Sequence, residues 1–131
     1  MRRRDTEGSW AVLLAMAEAE VREVARGLPP DVAERTAGLP VVFEAAPSAE
    51  LVAEGLAADT LGLFVGVDYP SEESGFPAET PTQIHLYIEN IWQYARRSRP
   101  DFREEVRITY LHELGHFLGL DEDDLADREM D

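Results

Sequence analysis

Apolar residues recur at Trp10, Leu13, Leu14, Ala17, Val21, Val24 and Leu28, three to four positions apart, which is the spacing of one buried face on a helix. The pattern predicts an amphipathic N-terminal helix. Leu28-Pro29-Pro30 stops it, because proline disfavours helix in the residue before it and cannot extend one. Asp31–Ala37 reads as a second, short helix closed by Gly38. The period then changes. Val41–Glu44 and Leu61–Val67 are short apolar runs of strand type, the second largely buried, and between them Ser48–Ala58 reads as a helix with Ser48 as its cap. Gln83–Glu89 alternates Ile84, Leu86 and Ile88 against His85, Tyr87 and Glu89, the period-two signature of a strand with one buried face. Asp68–Thr82 has no period and holds Pro70, Gly75, Pro77 and Pro81, so it is a loop long enough to be functional. Asn90–Arg97 reads as a short helix whose Ile91, Trp92 and Tyr94 belong to the core.

The last helix is the best specified. Asp101 and Glu104 form a capping-box-like start just after Pro100. At about 100° per residue, Phe102, Val106, Tyr110, Leu111, Leu114, Phe117, Leu118 and Leu120 fall in one half of the helical wheel. His112 and His116 fall on the remaining arc, roughly 40° apart. This helix therefore has a core face and a separate histidine face. The order of elements gives an α+β fold: a small mixed sheet of about three to four strands packed with the N-terminal helix and the C-terminal helix. At 131 residues the chain is expected to be one domain, 1–131, without internal repeats.

Composition narrows the chemistry. There is no cysteine, which excludes disulfide scaffolds, thiolate metal sites and thiol nucleophiles, so a metal would have to use histidine, aspartate or glutamate. The net charge is −15, from 27 acids against 12 basic residues, all of them arginine. Such a surface repels nucleic-acid phosphates and anionic lipid, so neither nucleic acid nor membrane is expected as a partner. Met1–Arg4 ahead of an apolar stretch with Ala15-Met16-Ala17 resembles a secretory leader, but the helical spacing runs on well past that cleavage point. The expectation is a cytoplasmic protein with no membrane span, a monomer or weak dimer.

Residues 111–125 carry the candidate chemistry: Leu-His-Glu-Leu-Gly-His-Phe-Leu-Gly-Leu-Asp-Glu-Asp-Asp-Leu. His112 and His116 are four apart, which puts two imidazoles one turn from each other on one side of a helix, able to converge on a single ion. Glu113, next to the first histidine, can reach a water on that ion and act as general base without being a ligand. Gly119 permits the positive φ that ends a helix and turns the chain back. An acid from the following run can then return as third ligand: Glu122, ten residues after His112, or its neighbours Asp121 and Asp123. Two histidines, one carboxylate and an open position make the donor set of a catalytic zinc.

The stretch His-Glu-x-x-His-x-x-Gly-x-x-Glu resembles the zincin metallopeptidases of the metzincin-like branch. The chain more widely resembles a family of small bacterial zincin-like metallopeptidases, in Leu28-Pro29-Pro30, Leu61-Gly62-Leu63-Phe64, Ile84-His85-Leu86-Tyr87 and Arg103-Glu104-Glu105-Val106. The resemblance implies an active-site helix packed against a small sheet, one Zn2+ per chain on His112, His116 and Glu122, and Glu113 as catalytic base. It implies hydrolysis of a peptide or protein substrate. His85, Tyr87 and Tyr110 are the side chains that could steady an oxyanion, and the role is assigned to none of them. Substrate binding is expected to use Gln83–Glu89 as an edge strand together with the 68–82 loop. Two departures from the resemblance stand out. Nine residues follow Glu122, with Met130 in place of a methionine turn, and there is no length for a second cleft wall. They favour an alternative of a different class, a catalytically weak or inactive metal-binding or interaction module on the same fold.

Overall fold

The computed structural model describes residues 8–66 and 82–119. The first helix, α1 (Trp10–Arg26), starts where the Ser9 hydroxyl accepts a hydrogen bond from the Val12 amide at 3.3 Å. It buries Leu13, Met16 and Ala17, a one-four-five spacing that points a single stripe inward. Helix α2 (Pro30–Thr36) begins at Pro30, where a missing N–H is harmless because first-turn amides have no helical partner. Gly38, at φ +81°, follows it as predicted.

Strand β1 is Val41–Glu44 and helix α3 is Ala49–Ala53, capped by Ser48, whose hydroxyl accepts from the Leu51 amide at 3.2 Å. The helix stops well short of the expected Ala58, since Glu54 ends it and Gly55 turns the chain at φ +113°. Strand β2 is Gly62–Val65, half-buried along its whole length rather than largely buried. Strand β3 (Gln83–Tyr87) lies between the other two, in the order β1-β3-β2. It pairs parallel to β1, with Val41 opposite Ile84 and Phe43 opposite Leu86, and antiparallel to β2, with Gly62 opposite Leu86 and Phe64 opposite Ile84. The expected edge position of Gln83–Glu89 is therefore wrong. The Ile84 amide donates to the Pro40 carbonyl at 3.0 Å and the Tyr87 amide to the Leu61 carbonyl at 2.9 Å, so both sides of β3 are occupied. The edges among the described residues are β1 and β2.

The chain passes from Tyr87 directly into helix α4 (Ile88–Tyr94), two residues before the expected end of the strand. Ile84 and Leu86 are fully buried as their phase predicts, but so is Tyr87, on the phase expected to face solvent. Of the three residues of α4 expected in the core, Ile91 and Trp92 are buried and Tyr94 is 64% exposed. Arg96 and Arg97, at φ 56° and 58°, turn the chain through the left-handed region. Helix α5 (Arg99–Phe117) then starts earlier than the Asp101 box, because Ser98 is the cap and accepts from the Asp101 amide at 3.4 Å. Pro100 sits inside the first turn.

The core forms where α1 and α5 lie together against the Ile84 and Leu86 face of the sheet. Leu13, Ala17, Phe102, Val106 and Leu114 meet there with α4, and Trp92 stands edge-on to Phe102 with centroids 5.7 Å apart. Truncating Phe102 or Leu114 to alanine would cost about 2–5 kcal/mol through lost burial and the cavity left behind. The architecture is α+β, with a three-stranded mixed sheet among the described residues and an N-terminal and a C-terminal helix packed on it.

Candidate metal centre

Helix α5 is held by Phe102, Val106, Tyr110, Leu114 and Phe117, all buried, and Phe117 meets Phe64 of β2 with ring centroids 5.8 Å apart. That anchoring leaves His112 and His116 half-buried on the adjacent arc and turns Glu113 toward β2, where it is 9% exposed. The strand comes close at this point because residue 62 is glycine. A Cβ there would lie 2.6 Å from Thr109 Cγ2 and 3.2 Å from Glu113 Cγ, so a larger residue would have to displace the helix or the carboxylate. Thr109, one turn before Glu113, is itself buried.

The two imidazoles converge. His112 Nε2 and His116 Nε2 are 3.1 Å apart and the rings stand nearly perpendicular, at 83°. Without a metal, one N–H donates to the lone pair of the other ring. Zinc–nitrogen bonds of about 2.0–2.1 Å at a tetrahedral angle place two such nitrogens roughly 3.3–3.4 Å apart, so a small outward rotation of either ring suits the pair to an ion. Ligand atoms of His112, Glu113 and His116 all lie within 4.8 Å of one another, and the group could hold a metal ion. Gly119 takes φ +82°, ending the helix three residues past His116 as its position predicts. Glu122, Asp121, Asp123 and Met130 lie outside the described residues, as does most of the 68–82 loop.

The three side chains considered for an oxyanion separate clearly. His85 is committed at both nitrogens: Nδ1 is 2.5 Å from Glu44 Oε1 and Nε2 is 2.9 Å from the Gln83 amide nitrogen. Tyr110 is buried on the core face of α5, and that burial raises its pKa. Tyr87 is fully buried, and its hydroxyl has no hydrogen-bond partner among the described residues. Burial raises its pKa first, followed by the charges of Glu44 and Glu113, so the phenol stays protonated and available as a donor. A cleft of about 290 Å3 opens beside the histidines, between Leu61 and Gly62 on one side and Ile108 and Thr109 on the other. Gly62, Thr109 and this cleft were not readable from the motif. The one local signal was that Thr109 and Glu105 fall four and eight residues before Glu113, near it on the helix.

Residues 36–131 match the zincin-like metallopeptidase family, and the chain belongs to it. No curated protein matches the chain. The family implies a zinc cofactor and a probable hydrolase, in keeping with the donor set on α5. No described helix is long and apolar enough to cross a membrane.

Proposed function

We propose that the protein is a zinc-dependent peptidase that hydrolyses peptide bonds with Glu113 as general base. The observation that carries the reading is the pairing of two converging imidazoles with a buried carboxylate held against the sheet. His112 and His116 would hold the zinc, with Glu122 as the third ligand by family resemblance and Asp121 and Asp123 as its neighbours in the same run. When bound, zinc supplies Lewis acidity that polarises the scissile carbonyl and lowers the pKa of water toward about 7. The Glu113 carboxylate takes one proton from the attacking water as the new C–O bond forms. It then delivers that proton to the amide nitrogen as the C–N bond breaks, leaving an acid and an amine.

The edge of β2 (Gly62–Val65) that is unpaired among the described residues is next to this carboxylate, which makes it the strand along which an extended peptide would pair, in place of β3. The test is a broad peptide library offered to zinc-loaded wild type and to Glu113→Gln. Cleavage by the wild type, absent from a variant that retains its zinc, supports the reading. Zinc bound in both with no cleavage by either would favour a binding module on the same fold.

A further inference from the structure

The cleft beside the histidines is lined by Leu61, Tyr94, Glu105 and Ile108, together with His112 and Glu113. Its chemistry is mixed in a particular way. Leu61 and Ile108 are half-buried aliphatic walls, and Tyr94 is an aromatic ring left 64% exposed although Ile88, Ile91 and Trp92 of the same helix are buried. Glu105 is a half-buried carboxylate that makes no ion pair among the described residues, in a chain with 12 arginines. It lies two helical turns before His112, about 10 Å along the axis. Burial raises its pKa, with Glu104 and Asp101 adding to the effect. A cleft with two aliphatic walls, an aromatic face and a carboxylate without an ion pair among the described residues matches a long side chain with a methylene stem and a cationic head.

We propose that this cleft is a subsite for an arginine or lysine side chain of a peptide lying along β2, the stem between Leu61 and Ile108 and the charged head against Tyr94 and Glu105. The inference rests on the peptidase reading for its setting, and it names a preference for cationic substrates. Glu105 and Tyr94 act here as specificity-determining residues and take no part in bond breaking.

Binding and cleavage can be read apart. The full chain, freed of metal by chelation, is titrated with Ala-Arg-Ala amide and with Ala-norleucine-Ala amide, which has a similar stem without the charge, following tyrosine ring signals by NMR. The arginine peptide is expected to bind about tenfold more tightly. Glu105→Gln should abolish that difference, and Glu34→Gln, an exposed acid on α2 outside the cleft, should keep it. Equal affinities, no measurable binding of either peptide, or a preference that survives Glu105→Gln would overturn the subsite. The same peptides extended to eight residues are then offered to the zinc-loaded protein. Arginine-selective binding without cleavage would sink the peptidase reading and leave the subsite standing, and cleavage indifferent to arginine would do the reverse.

Discussion

As the proposed base, Glu113 has to be ionised to accept a proton, yet 9% of its surface reaches solvent, and Gly62 is what lets the strand approach it so closely. Glu113→Gln keeps the shape and removes the base. Zinc content is expected to stay at the wild-type level while turnover falls by about 10²–10⁴-fold, measured by metal analysis and peptide cleavage on one preparation. Gly62→Ala is expected to cost about 1–3 kcal/mol in chemical denaturation, because its methyl would overlap Thr109 and press on the Glu113 side chain. A midpoint unchanged from wild type would show that the strand can retreat. Glu105 carries a pH signature. Its folded pKa lies above the ordinary 4.5, so the folded state holds that proton more tightly, and the associated stability is present at low pH and lost as the pH rises through the raised value. Glu105→Gln should therefore flatten the fall in melting temperature that sets in as the pH rises above the ordinary 4.5. The candidate ligands His112 and His116 were legible because an i, i+4 pair is a local fact of helices. Gly62 and Tyr94 were not, because their roles depend on contacts between elements far apart in sequence.

Among the elements, β1 and both ends of α2 lie within a residue of where pattern placed them. The errors share a physical origin. Alternation along Gln83–Glu89 states which side chains share a face and says nothing of which strands flank it, so the central place of β3 had to come from the parallel pairing with β1. Tyr87 broke its phase because the face it shares with His85, 6.2 Å away between ring centroids, is itself covered in this fold. At α5 the Asp101 and Glu104 signal competed with Ser98, and the serine prevailed because its hydroxyl meets the Asp101 amide. Ser98→Ala is accordingly expected to cost about 1 kcal/mol in urea unfolding. Removing the hydroxyl with no loss of stability would place the start of the helix elsewhere.

At the scale of the whole molecule the charge of −15 sets two conditions. Self-repulsion on so acidic a surface is screened by salt, so the melting temperature should rise between about 0.02 and 0.5 M NaCl, and a fall would mean that ion pairs such as Arg107–Glu20 outweigh it. The same field favours a cationic peptide over a neutral one before any contact is made, in the direction of the subsite proposed at Glu105. The central claim is a metal held on α5. Elemental analysis of the untagged chain, after exchange into chelator-free buffer, tests it most directly. The account predicts about one zinc per chain in the wild type and almost none in a folded His116→Ala variant. A wild type that binds no zinc when zinc is added back, or a His116→Ala variant that holds it stoichiometrically, would contradict the account.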